Sequence, residues 1–191
     1  MGQAVACLLR HGETEGGSGY YGVTDVALSS HGMRQMEAAT RDAAWDRIVS
    51  SPLRRCRAFA DRLSQERGVP LAVDERLSEM NFGAWEGRTA AAIMAEDPEP
   101  LTRFWQDPLA HPPPGGERLD HFAARVWEAW RDIRRGDGNL AGQRVLVVTH
   151  GGPIRVILCR IQALPLARLM ELKVDHASLH RAELGSCSDP T

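Results

Sequence analysis

Two uninterrupted apolar runs constrain this chain more than any other feature: Ala4-Val5-Ala6-Cys7-Leu8-Leu9 near the start and Val145-Leu146-Val147-Val148 towards the end. Short runs that are apolar at every position read as strands buried on both faces, the kind found in parallel sheets covered by helices on each side. Arg47-Ile48-Val49-Ser50 is a third, shorter candidate. Helical signals lie between them. Leu53, Cys56, Ala60 and Leu63 keep a helical period, with Ser51 expected as N-cap and Pro52 at the first helical position. Leu119, Phe122, Ala123, Val126, Trp130 and Ile133 form a longer stripe, and Met33, Met36 and Ala39 to Ala43 suggest a helix started by Ser29 or Ser30. Met170 to Val174 and Ser178 to Leu184 read as further strands. Alternation of this kind predicts an α/β fold: a three-layer sandwich whose central sheet is mainly parallel and flanked by helices.

The 191 residues suit one domain, expected over 1–184, with a flexible tail at 185–191. A net charge of −2 argues against a nucleic-acid binder, which would carry a basic excess. The cysteines, Cys7, Cys56, Cys159 and Cys187, are far apart without a Cys-x-x-Cys pair, so neither a disulfide framework nor a zinc ribbon is indicated, and the three in apolar or helical surroundings read as small buried side chains. No signal-like or membrane-length apolar stretch is evident, and a cytoplasmic protein without a membrane partner is expected. The Pro- and Gly-rich stretch Asp107 to Gly116 reads as a loop over the fold.

Cations follow each of the three principal strands. The first ends in Arg10-His11-Gly12. The second leads into Ser51-Pro52 and the arginines Arg54, Arg55 and Arg57. The last ends in Thr149-His150-Gly151-Gly152-Pro153, with Pro153 opening a helix. Ligands of open α/β sheets bind beyond the carboxyl ends of strands, where helix N-termini present free N–H groups. Histidines and arginines gathered there describe a pocket for a dianion. A metal is disfavoured, since no Asp, Glu or Cys ligand has metal-like spacing and neighbouring arginines would repel a dication.

Arg10-His11-Gly12-Glu13-Thr14 with a distant Thr149-His150-Gly151 resembles the histidine phosphatase (phosphoglycerate mutase-like) superfamily. The resemblance runs from about Val5 to Val156 and takes in Gly22-Val23-Thr24-Asp25, Leu28-Ser29 with Gly32 and Gln35, Ser51-Pro52-Leu53-Arg54-Arg55, Glu79 to Gly87, and Pro114-Gly115-Gly116-Glu117. It implies that His11 is a nucleophile that becomes a phosphohistidine, and that Arg10, Arg55 and His150 hold the phosphoryl oxygens. Glu79 matches the proton donor; Glu13 is its rival, assigned a positioning role, and Glu86 reads as structural. A carboxyl acting as an acid near neutral pH needs a raised pKa, which a neighbour such as Phe82 could supply. Gly17, Tyr21, Gly22 and Gly151 join Arg10 and Arg55 as expected substrate-binding positions. No cofactor is implied, the partner is a small-molecule phosphate ester, and monomer and dimer both stay open.

Mutases of this superfamily usually place Trp-Asn where this chain has Gly16-Gly17, and His-Gly-Asn-Ser where it has His150-Gly151-Gly152-Pro153; their insertion after Gly87 is also longer. These departures turn the expectation towards a phosphatase similar to the α-ribazole phosphatase branch, whose substrate in cobalamin nucleotide-loop assembly carries a flat, apolar base. A broad-specificity or sugar-phosphate phosphatase, a mutase and a non-catalytic phosphoryl-binding module are the alternatives. Tyr20, Tyr21, Trp85, Phe104 and Trp105 could stack on such a base, although Phe104 and Trp105 equally read as the core side of a short helix. Phe59 stands where many relatives have threonine. His176 and His180 read as surface or edge-strand positions.

Overall fold

The computed structural model describes residues 4–136 and 142–184. In chain order its principal elements are β1 (Val5–Arg10), α1 (Ser30–Thr40), β2 (Arg47–Ser50), α2 (Arg54–Arg67), β3 (Leu71–Val73), α3 (Ala90–Glu96), α4 (Pro98–Gln106), α5 (Leu119–Arg135), β4 (Arg144–Thr149), α6 (Gly151–Ile161) and β5 (Leu179–Glu183). The strands form one sheet in the order β3-β2-β4-β1-β5. All neighbours are parallel except β5, which runs antiparallel to β1.

The apolar runs are continuous because both faces of the sheet are covered. On β4, Val145 and Val147 point into a core formed with α5 and α6, whereas Leu146 and Val148 point into a second core formed with α1 and α2. Every residue of the expected α5 stripe is buried. Phe59 fills the second core. Register brings the motifs together: Arg10 pairs with Thr149, Ser50 pairs with Val148, and the His11 N–H donates to the Thr149 carbonyl at 3.0 Å.

Three local expectations are corrected. First, α2 begins at Arg54, with Leu53 at the cap position and no cap bond from its side chain. Ser51 does not cap it, because its hydroxyl is held by His150 at 2.7 Å. Asp25, from a distant loop, instead accepts from the Arg54 N–H at 2.8 Å. Second, Met170 to Val174 is no strand. A 3-10 turn occupies Leu166–Glu171, and the carbonyls of Leu172 and Val174 accept from arginine side chains rather than from a sheet partner. Third, Cys7 is only half-buried, whereas Cys56 and Cys159 are fully buried.

Ser29 does cap α1, accepting from Gly32 N–H. The Asp107 to Gly116 segment is the expected loop, pinned where Ala84 N–H meets the Pro114 carbonyl at 2.9 Å. Cys187 and the expected tail at 185–191 lie outside the described residues.

Candidate active site

The carboxyl ends of β1 and β4 open onto a cavity of about 330 Å³. Of the expected positions, Arg10, His11, Gly17, Tyr21, Arg55, Glu79 and Gly151 line it, whereas Gly22 and His150 lie behind it.

His11 is 7% exposed. Its Nδ1 lies 2.8 Å from the Gly12 carbonyl. A carbonyl can only accept, so Nδ1 carries the proton and Nε2 keeps its lone pair. Burial, opposed by that bond and reinforced by Arg55 and Arg10, pushes the imidazole pKa down to about 3. At neutral pH the ring is therefore uncharged and nucleophilic.

His150 is fully buried, 5.2 Å centroid to centroid from His11. Both its nitrogens are engaged: Nδ1 accepts from Arg55 Nε at 3.1 Å, and Nε2 meets Ser51 Oγ at 2.7 Å. An arginine has no acceptor, so this tautomer donates from Nε2 to the serine. Burial and the nearby Arg55 hold it well below the ordinary imidazole range.

Arg55 is 0% exposed and donates to His150 and to the carbonyls of Tyr21, Gly22 and Thr24. Glu86 holds the other side of the same loop, accepting from the N–H groups of Gly22, Val23, Thr24 and Phe82 at 2.9 to 3.1 Å. The loop's peptide units thus lie between a carboxylate and a guanidinium, their dipoles aligned with both charges. Burial raises the Glu86 pKa, but the bonds from Thr24, Phe82 and Val23 outweigh it and hold the group below its ordinary range. Glu86 is structural, as expected, and its role is to shape the backbone that grips Arg55. Gly22 belongs to this grip.

Glu79 reaches the pocket from the segment after β3. Its Oε2 accepts from Gly152 N–H at 3.1 Å, at the N-terminus of α6, and its Oε1 from Met80 N–H at 3.0 Å. A Cβ on residue 152 would stand 2.1 Å from Oε1, so only glycine admits the carboxylate. Phe122 borders that point, whereas Phe82 packs on Tyr20. Arg125 fixes the segment from below, donating to the carbonyls of Arg76, Ser78 and Glu79 and clasping Glu117 with two bonds of 2.8 Å. Glu13 points away, bonded to Gln35 on α1.

Gly17 lines the cavity in a left-handed conformation (φ +68°) that an asparagine tolerates and most residues resist. The outer wall is apolar, with Tyr20, Phe82, Phe104, Leu119, Phe122 and Met170. Phe104 is at once core and wall; Trp85 is buried behind Tyr20, and Trp105 is exposed with its indole N–H on the Tyr20 hydroxyl at 3.1 Å. Strand β3, helix α3, Arg125 and the pocket positions of Arg155 and His176 escaped the sequence reading. Helix α3 carried a usable signal, a Thr89 cap before Ala90-Ala91-Ala92. Arg155 and His176 line the cavity without any local motif to announce them.

The chain matches the family described as "Histidine phosphatase superfamily (branch 1)" over residues 6–188. It belongs to that superfamily, and its fold is shared with solved structures of phosphatases. Among its relatives, a bifunctional protein of Mycobacterium tuberculosis is 37% identical over 186 residues, which cover 92% of this chain and 49% of that protein. The chain therefore spans about half the length of such mycobacterial relatives. The adenosylcobalamin/α-ribazole phosphatase of Salmonella typhimurium is 32% identical, covering 88% of this chain and 84% of that one. A putative phosphoserine phosphatase of Hydrogenobacter thermophilus is 30% identical, with 90% and 85% covered. Among solved structures, a mycobacterial glucosyl-3-phosphoglycerate phosphatase complexed with VO3 superposes with a TM-score of 0.84 at 31% identity, covering 93% of this chain and 92% of that one.

Proposed function

We propose that this protein hydrolyses a small-molecule phosphate monoester through a phosphohistidine at His11. The observation that carries the reading is His11 itself: its Nδ1 is tied to Gly12, leaving Nε2 unprotonated, and His11 lines the same cavity as Arg10 and Gly151, the first residue of α6. In the first step Nε2 attacks phosphorus, the ester P–O bond breaks, and Glu79 gives its proton to the leaving oxygen. In the second, Glu79 takes a proton from water as that water attacks phosphorus. The P–N bond breaks, and phosphate and neutral His11 are released. Arg10, the α6 N-terminus and Arg55, whose guanidinium has one of five N–H groups left after its four bonds, carry the charge of the transferring group. His150 acts from behind by fixing Arg55.

Our substrate proposal is α-ribazole 5′-phosphate, supported by the apolar wall and by the Salmonella typhimurium relative's name. A phosphatase acting on sugar phosphates or on carboxylate-bearing esters such as phosphoserine is the second reading, favoured by the other relatives' names and by Arg155 on the wall. A panel of α-ribazole 5′-phosphate, phosphoserine, phosphoglycerates and sugar phosphates tests the choice by relative kcat/KM. A preference of tenfold or more for the ribazole ester is expected; an equal or larger value for phosphoserine would overturn the named substrate and leave the reaction class standing. Under the same assay Glu79→Gln should lose about 10²- to 10⁴-fold in kcat while still binding phosphate.

A further inference from the structure

We propose that His176 is a positioning residue of this site, which as a neutral imidazole holds Arg10 and His11 in their working geometry. The inference rests on the proposed function. The strap from Leu172 to Ala177 closes one side of the pocket and is tied to it at four points. Leu172 and Val174 give their carbonyls to Arg155 Nε (3.0 Å) and Arg10 Nη1 (2.7 Å). Ala177 N–H donates to the His11 carbonyl at 3.2 Å. His176 Nε2 lies 3.1 Å from Arg10 Nη2, and its ring sits 5.6 Å from the His11 ring. Guanidinium nitrogens only donate, so His176 Nε2 is the acceptor and must carry no proton. The bond sets the angle at which Arg10 presents its remaining N–H groups, and the ring limits tilting of His11.

A protonated His176 cannot accept that bond and repels Arg10. The groups facing it are Arg10 at the end of β1, His11 next to it, Glu13 just beyond, Asp175 in the strap with its ion-pair partner Lys173, and Arg155 from α6 across the strap. Burial first, then Arg10, hold its pKa below the ordinary imidazole range despite Glu13 and Asp175. The working state is thus populated at neutral pH and lost as pH falls.

The test compares wild type, His176→Gln and His176→Phe as kcat/KM for p-nitrophenyl phosphate between about pH 4.5 and 8, with circular dichroism as a folding check. Glutamine keeps an acceptor near the Nε2 position but does not titrate; phenylalanine keeps the ring but not the acceptor. At pH 7.5 the Gln variant should stay within about threefold of wild type, and the Phe variant should lose about tenfold, the size of one lost hydrogen bond. The ratio of wild type to the Gln variant should fall as pH drops below about 6.5. A ratio that is flat or rises overturns the proposal, even if the Phe variant fails to fold. Should wild type hydrolyse no phosphate monoester at all, the proposed function falls and this inference with it; an active wild type with an unchanged pH profile in the Gln variant removes His176 alone.

Discussion

The two sides of the cavity are built on different principles. At the strand ends, Arg55 and His150 are fully buried and His11 nearly so, and most of their polar atoms are held by backbone groups, by Ser51 or by one another. Across from them, the side chains of Tyr20, Phe82 and Met170 are partly exposed and held by packing, apart from the Tyr20 hydroxyl. Fixed dipoles at the inner wall can stabilise developing charge without reorganising, which is where electrostatic catalysis gains most. Packed side chains at the outer wall discriminate only modestly between leaving groups. On the proposed function, reaction class and substrate choice lie in separate parts of the molecule, and substitutions should separate them.

The largest effect is expected at the inner wall. His11→Ala should reduce kcat by about 10⁴-fold or more, as loss of a nucleophile does elsewhere. Arg55→Met should follow, with kcat/KM down about 10²- to 10³-fold and a lowered melting temperature, because it removes a donor from three carbonyls and from His150. Gly152→Ala sharpens the contrast: its methyl displaces Glu79, and a shift of about 1 Å should cost about 10²-fold in kcat with KM little changed. At the outer wall, Met170→Ala, at an exposed residue, should change relative kcat/KM between bulky apolar and sugar esters by about tenfold at most while sparing sugar phosphates. A Met170 effect as large as that of Gly152 would erase the distinction.

A further effect is on stability. His11 and His150 are held neutral when folded, below their unfolded value of about 6.5. The unfolded chain then binds more protons, so stability is complete above about pH 6.5 and declines as pH falls towards the folded value of about 3 for His11. The limiting slope is about 1.4 kcal/mol per pH unit for each histidine. Urea titrations at several pH values should show a shallower decline in His11→Gln.

Much of this was legible because it is local or periodic. The β4 run declares itself, since both faces of that strand are covered, and Arg10 and His150 follow directly from strand ends. What the sequence concealed depends on partners distant in the chain. Ser51 has every local mark of an N-cap, yet His150 claims its hydroxyl and Asp25 supplies the cap. Met170 to Val174 is apolar enough for a strand, but arginine side chains take its carbonyls. His176 sits in no motif, and only the strap's path past β1 brings it beside His11.

Everything above turns on whether phosphorus is transferred to His11. The direct measurement is rapid alkaline quench of the enzyme with a ³²P-labelled monoester during turnover, followed by peptide mapping. An acid-labile, alkali-stable label is expected on the peptide containing His11, lost in His11→Ala and longer-lived in Glu79→Gln. Continued turnover with no label on that peptide, or label on another residue, would contradict transfer to His11.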